Sequence, residues 1–227
     1  MDLDHSGVGL LGAQAQASAL FLEIERRLIR AGIAESQLNS EIYKLAADMF
    51  GVTTHWHKRV IRAGSNTLQP YNEDPPDRMI DADDILFVDL GPVFAAWEAD
   101  FGRTFVLGDD PVKHRLKNDL QPIFQAAKAQ FEADPDMTGA TLYEIARDLA
   151  AEAGWEFGGR IAGHTVGEFP HERIPGDRIS FYITRGNHLP LRRADANGRP
   201  YHWILEIHLI DRMREIGGFY EELLTVP

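Results

Sequence analysis

The sequence of 227 residues contains no cysteine. This absence excludes disulfide bonds, zinc sites built on thiolates and cysteine nucleophiles. It is also compatible with a reducing compartment, and we therefore expect a cytoplasmic protein.

Basic residues are scarce relative to acidic ones. The chain has 23 Lys and Arg against 35 Asp and Glu, which gives a formal net charge of -12 at pH 7. An acidic surface offers no attraction to phosphate backbones or to anionic lipid. We therefore expect neither a nucleic-acid partner nor a membrane partner.

Long apolar runs are also missing. The uncharged stretch 6–22 is diluted by Gln14 and Gln16 and is too short to span a bilayer. Asp2 and Asp4 stand where a signal peptide carries positive charge, so we do not expect a leader peptide here.

The apolar spacing predicts two helix pairs, each followed by strands. The predicted helices cover about 11–31, 36–50, 109–132 and 141–154. Thr141 and Glu144 have the spacing of a capping box for the fourth helix. Because no linker separates the halves, we expect one domain over residues 1–227. The fold class is α+β, with a curved, mostly antiparallel sheet covered by two helix pairs that are related by pseudo-twofold symmetry.

Two carboxylates occur in an apolar predicted hairpin, 84–106. Asp89 ends the first strand and Asp100 opens the second, eleven residues later. Buried carboxylates are costly unless they are paired or bind a cation. The pair therefore indicates half of a metal site, or alternatively an aspartate in a turn and an aspartate paired with Arg103.

The second half of the sequence adds a histidine and two further carboxylates. They are His164 in a glycine-rich loop, Glu206 in an apolar strand and Glu221 near the C-terminus. Singly, they could be a hydrogen-bonded loop histidine, a solvent-facing glutamate and a solvated tail. Together with the two aspartates they form an oxygen-rich set that suits two divalent cations sharing bridging carboxylates.

In their order and in their local sequence, these segments resemble the metallopeptidase family with the pita-bread fold. That family includes methionine aminopeptidase, aminopeptidase P, prolidase and creatinase. The matching segments are 88–91, 100–105, 163–172, the strand of Glu206, and 220–221. The resemblance runs from about residue 10 to the end. It is closest to the prolidase and aminopeptidase P branch, without that branch's N-terminal domain.

The resemblance implies a centre of two divalent metal ions. Asp89 would chelate one ion, and Asp100 and Glu221 would bridge both. His164 and Glu206 would complete the coordination of the second ion. Manganese is the favoured metal, with cobalt, zinc and iron as alternatives.

The resemblance also implies hydrolysis of a short peptide or peptide-like amide, of the Xaa-Pro type, by metal-activated water. Glu206 would carry a proton between that water and the leaving amine. His171 would contact the substrate and the tetrahedral intermediate. The expected partner is a small peptide or small-molecule substrate, and a homodimer is expected if a neighbour closes the pocket.

One position departs from the family pattern. Where the family has a histidine after Gly-x-Asn and proline, this chain has Tyr71, whose phenol is a poor proton carrier at neutral pH. His55 and His57 lie upstream and could replace that histidine from another direction. We favour the interpretation that both are histidines of a surface loop. The change leaves two alternatives: the same centre acting on a small non-peptide substrate, as a creatinase-like hydrolase or a lyase, and a binding module without activity.

An arginine-rich segment, 187–201, precedes the strand of Glu206. Arginine forks fit carboxylates, so we predict that Arg192 and Arg193 bind a substrate carboxylate from a lid. The alternative is a solvated loop. We also predict that Tyr71 contacts the substrate.

Overall fold

The computed structural model describes residues 5–69, 71–170 and 178–225. Within them the chain forms four helices: α1 (His5–Arg27), α2 (Glu35–Phe50), α3 (Pro111–Ala133) and α4 (Gly139–Glu152). The strands are β1 (Val60–Ala63), β2 (Ile85–Leu90), β3 (Val93–Phe94), β4 (Trp97–Glu98), β5 (Phe101–Val106), β6 (Glu156–Phe157), β7 (Thr165–Val166), β8 (His202–Asp211) and β9 (Ile216–Leu223).

Seven of the strands form one antiparallel sheet in the order β1-β2-β5-β9-β8-β6, with β7 paired to β8. Its centre consists of two hairpins, β2–β5 and β8–β9. The hairpins meet where Gly102 of β5 lies opposite Glu221 of β9. This arrangement confirms the predicted α+β class and the predicted hairpin over 84–106.

Each helix pair covers its own hairpin. One apolar cluster joins α1 and α2 to β1, β2 and β5, and a second joins α3 and α4 to β8 and β9. Trp203 is fully buried in the second cluster, and its indole N–H donates to the carbonyl of Leu191 at 2.9 Å. The two halves therefore repeat the predicted order of two helices followed by strands.

Several helix ends follow local chemistry. Gly51 ends α2 in the left-handed conformation, with φ of +67°, which glycine adopts without strain. Asp110 caps α3 by accepting from the N–H of Val112 at 2.8 Å, and Pro111 follows it. Pro122 lies inside α3 without ending it.

Two predicted helix starts were wrong. Helix α1 begins at His5 rather than near residue 11. Within the added turn, Gly9 packs under the indole of Trp97, where a side chain would overlap the ring. Helix α4 begins at Gly139 rather than at Thr141, because Thr138 is the cap and accepts from the N–H of Thr141 at 3.1 Å. No helix in the described parts of the chain is long and apolar enough to cross a membrane.

Thr104 joins the two central hairpins. It is 4% exposed, and its hydroxyl accepts from the N–H of Phe219 at 2.7 Å and donates to the carbonyl of Phe219 at 2.9 Å. These two hydrogen bonds link β5 to β9 beside the contact of Gly102 with Glu221. The hydroxyl therefore helps to hold β9, which carries Glu221, against β5.

Thr104→Val should lower the free energy of unfolding by about 1–3 kcal/mol, because it leaves both backbone groups of Phe219 buried without a partner. Urea denaturation of the chelator-treated protein measures this loss. Thr104→Ser is the control, since it keeps the hydroxyl and should lose less stability. Equal losses for the two variants would show that the hydroxyl does not link the hairpins.

Candidate metal centre

The five residues predicted as metal ligands converge at the middle of the sheet. Their positions are Asp89 in β2, Asp100 just before β5, His164 just before β7, Glu206 in β8 and Glu221 in β9. The three carboxylates nearest the centre are almost inaccessible, with exposures of 8% for Asp89, 4% for Asp100 and 2% for Glu221. The prediction that Glu221 belongs to a buried site, rather than to a solvated tail, fits this burial.

The strand register brings the carboxylates together. Glu206 lies opposite Glu221 across β8 and β9, and Gly102 lies opposite both Asp89 and Glu221. A Cβ atom on Gly102 would lie 2.5 Å from the ring of Phe219 and 3.2 Å from the Cβ of Glu221. Glycine at this position therefore leaves room for the ring of Phe219 and for the side chain of Glu221 where it leaves β9.

His164 is fixed by its neighbours on both sides. Gly163 has φ of +134°, and a Cβ there would clash with the carbonyl oxygen of Ile204, so the approach to β8 requires glycine. The Nδ1–H of His164 donates to the carbonyl of Thr165 at 2.9 Å. Its Nε2 lies 3.3 Å from Oδ2 of Asp100 and 3.7 Å from Oε1 of Glu206.

His57 belongs to the same cluster, and our preference for a surface-loop histidine was wrong. Its side chain is 9% exposed, and its Nε2 lies 3.0 Å from Oδ1 of Asp100 and 3.7 Å from Oδ1 of Asp89. Trp56 holds the segment in place: its backbone N–H donates to Gly91 and its indole N–H donates to Ala99, each at 2.9 Å.

A positional signal for His57 was present in the sequence. His57 follows the end of the first helix pair, as His164 follows the end of the second. Both histidines precede the strand that carries a carboxylate of their own half. His55 shares this place in the sequence, so the comparison of the two halves narrows the choice to two histidines.

His55 is also not a surface residue. Both of its ring nitrogens are buried and have no hydrogen-bond partner among the described residues. Burial lowers the pKa of His55 to about 4, and the charges of Arg59 and His57 act in the same direction. His55 is therefore a neutral packing residue whose ring lies 6.1 Å from that of Tyr43.

Burial and mutual repulsion keep protons on part of the cluster. Burial raises the pKa of Asp89 and of Glu206 to about 7, and the charge of Asp100 adds to both shifts. Burial and three neighbouring carboxylates also raise the pKa of Glu221 well above its usual value. These carboxyl groups compete for the same compensating charge.

Asp100 is the exception. Burial opposes its ionisation, but His57 and His164 on its two oxygens outweigh that cost and hold its pKa below the usual range. In turn, the charge of Asp100 overcomes the burial of the two histidines, whose pKa values are raised to about 9. Asp100 is therefore the charged centre around which the other groups are arranged.

The donor set fits divalent cations. Oδ1 of Asp89 and Oε2 of Glu221 are buried and have no hydrogen-bond partner among the described residues. A buried oxygen without a partner is costly, whereas a cation satisfies it. The ligand atoms of Asp100, His164 and Glu221 lie within 4.8 Å of one another, as do those of His57, Asp89 and Asp100.

Arg103 does not pair with Asp100, contrary to the alternative considered from the sequence. Its guanidinium forms an ion pair with Glu222, lies over the ring of Tyr220 at 4.0 Å and donates to the carbonyl of Glu221 at 3.0 Å. The arginine thus supports the strand of Glu221 from outside the centre.

The structure gives no support to the predicted substrate-binding arginines. Arg192 donates to the carbonyls of Phe131 and Asp134 at the end of α3, each at 2.8 Å. Arg193 donates to the carbonyls of Ser180 and Pro190. Backbone carbonyls of the chain itself thus engage both guanidinium groups, which gives them a structural role.

Of the other predicted contacts, Tyr71 lies at the edge of the centre and His171 lies outside the described residues. Tyr71 is 45% exposed, its ring lies 5.9 Å from that of His57, and Lys58 Nζ lies 4.9 Å from its ring centre. Burial raises the pKa of its phenol, and the charges of Asp89 and Asp100 contribute to the shift. Tyr71 is thus close enough to be influenced electrostatically by the cluster.

Residues 9–194 match the Metallopeptidase family M24, and the chain belongs to that family. An Xaa-Pro dipeptidase from Pyrococcus horikoshii is 28% identical over 158 residues, which are 66% of this chain and 44% of the relative. An Xaa-Pro dipeptidase from Pyrococcus furiosus is 31% identical over 125 residues, which are 54% of this chain and 34% of the relative.

Solved structures share the fold. A dipeptidase from Mycobacterium ulcerans superposes with a TM-score of 0.73 at 24% identity, over 95% of this chain and 53% of that one. An Xaa-Pro dipeptidase from Bacillus anthracis gives a TM-score of 0.73 at 20% identity, over 100% of this chain and 59% of that one. These likenesses confirm the predicted pita-bread fold. The chain spans about half the length of the relatives it matches.

The metal-free protein should lose stability as pH rises. The two carboxyl groups raised to about 7 and the two histidines raised to about 9 bind more protons in the folded chain than in the unfolded one. Their stabilisation is complete below the ordinary pKa values and disappears as pH passes through the raised ones. Thermal unfolding of the chelator-treated protein should therefore show a lower Tm at about pH 8.5 than at about pH 5.5.

Glu206→Gln provides the control for this pH dependence, because it removes one of the titrating groups and should flatten the decline. A Tm that rises with pH over this interval, or an unchanged slope in Glu206→Gln, would contradict the assignment of the buried protons.

Proposed function

We propose that this chain is a hydrolase that uses two divalent metal ions to cleave short peptides of the Xaa-Pro type. The observation that carries the proposal is Asp100, which has a histidine nitrogen beside each of its oxygens and unpartnered oxygens of Asp89 and Glu221 nearby. Membership of the Metallopeptidase family M24 supports divalent-metal dependence, and the names of the Pyrococcus relatives support the substrate class.

The five predicted residues would hold the ions in two groups. Asp89 would bind one ion, and Asp100 and Glu221 would bridge both. His164 and Glu206 would complete the second. Oxygen-rich sites of this kind suit manganese, which is the metal we favour, with cobalt, zinc and iron as alternatives.

When bound, the two ions supply a water of lowered pKa and polarise the scissile carbonyl. Glu206 would take the proton from the attacking water and pass it to the leaving nitrogen. Its side chain is 14% exposed, which limits the solvent that could compete for this proton. Tyr71, at the edge of the cluster, would contact the substrate by its phenol, and the contact predicted for His171 stays a prediction.

A second function is favoured by Tyr71 alone. The tyrosine stands where the resemblance implies a histidine, and its phenol remains a donor rather than a proton carrier at neutral pH because its pKa is raised. A substrate that needs no such histidine, such as a small non-peptide acid, would suit this centre. The buried ligand set argues against a binding module without metal.

Asp100→Asn should abolish the binding of both ions and lower turnover by roughly 100-fold or more, because loss of a group that merely orients a ligand already costs about 10- to 100-fold. Metal content per chain and hydrolysis of the manganese-loaded protein measure the two effects. Glu222→Gln is the matched control, since this carboxylate faces Arg103. A metal-loaded, active Asp100→Asn protein would rule out the proposal.

The metal-loaded protein should hydrolyse Xaa-Pro dipeptides faster than small non-peptide acids. Release of proline, followed across a set of dipeptides, is the measurement, and omission of metal is the control. Turnover of a small non-peptide acid in the absence of dipeptide cleavage would instead establish the second function.

A further inference from the structure

His57 and His164 are held in the same way. The Nδ1–H of each ring donates to the backbone carbonyl of the next residue, at 2.7 Å for Lys58 and 2.9 Å for Thr165. A hydrogen bond of this kind fixes the tautomer and turns Nε2 into the ligand nitrogen of a metal-binding histidine. The two imidazoles are therefore equally prepared to bind a cation.

The two histidines approach opposite oxygens of one carboxylate. Nε2 of His57 lies 3.0 Å from Oδ1 of Asp100, and Nε2 of His164 lies 3.3 Å from Oδ2. If Asp100 bridges two ions through its two oxygens, each ion has one imidazole beside it. The ligand atoms of Asp89 complete the group on the side of His57.

The surroundings of His57 are shaped to its ring. A Cβ atom on Gly91 would overlap this imidazole, so the backbone there leaves room for it. Trp56 packs edge-on against both imidazoles, with ring centres 4.5 Å from His57 and 5.3 Å from His164. One indole therefore positions both histidines, and an exposed loop residue would have no such enclosure.

We infer that His57 is a sixth protein ligand of the metal centre, donating Nε2 to the ion held by Asp89 and Asp100. The inference rests on the proposed dinuclear centre and extends it. With the five predicted ligands, the ion at Asp89 has oxygen ligands alone; with His57, each ion has one nitrogen ligand. Added imidazole moves the preference of that site from manganese toward cobalt, zinc or iron.

The test counts imidazoles and ions without measuring turnover. X-ray absorption of the cobalt-loaded protein should show two ions per chain and an average of one imidazole per ion. His57→Gln should lower that average and should weaken the binding of one cobalt ion by about 10- to 100-fold or more in competition titrations. His188→Gln removes an exposed histidine and should leave both quantities unchanged.

Gly91→Ala is the second variant, and it keeps the imidazole while displacing it. It should weaken the same ion, so the inference can be tested even if His57→Gln fails to fold. Unfolding of each chelator-treated variant shows that the fold is intact.

The outcomes separate the inference from the proposed function. Two ions in the wild-type protein, with unchanged imidazole number and affinity in His57→Gln, would overturn the sixth ligand and leave the dinuclear centre standing. A folded wild-type protein that binds no cobalt would overturn both.

Discussion

The constraint on which this structure depends is the close approach of four carboxylates, three of them buried and one partly buried. These carboxylates lie in or beside four neighbouring strands of one sheet: Asp89, Asp100, Glu206 and Glu221. An ionised group in such a place is costly unless an opposite charge compensates it. Two imidazoles supply part of the positive charge, and protons retained on the carboxyl groups remove part of the negative charge. Divalent cations compensate the charge more fully, since they also satisfy the oxygens that lack hydrogen-bond partners.

The centre exists only when both halves of the fold are assembled. Each half contributes two helices, a hairpin with two carboxylates and one histidine, and the hairpins meet along β5 and β9. A preformed site of this kind is absent from the unfolded chain, so a cation that bound there would stabilise the assembled sheet. The free energy of cation binding at the centre and the free energy of pairing the two halves are therefore coupled.

The sequence predicts those features that depend on local patterns and on short motifs. The apolar spacing and Gly51 located the first helix pair, and the motif segments indicated residues that do converge. His57 could not be found in this way, because tertiary contacts of Trp56 and the close approach at Gly91 bring it inside. The hydrogen bonds of Arg192 could not be predicted for the same reason, since its acceptors lie at the distant end of α3.

Anomalous diffraction from crystals grown with cobalt tests the central claim most directly, because it locates each ion relative to Asp100. We predict two peaks, one on each side of the Asp100 carboxylate, the first beside Asp89 and His57 and the second beside Glu206 and His164. A single peak, or ions bound away from these carboxylates in a folded protein, would contradict the dinuclear centre.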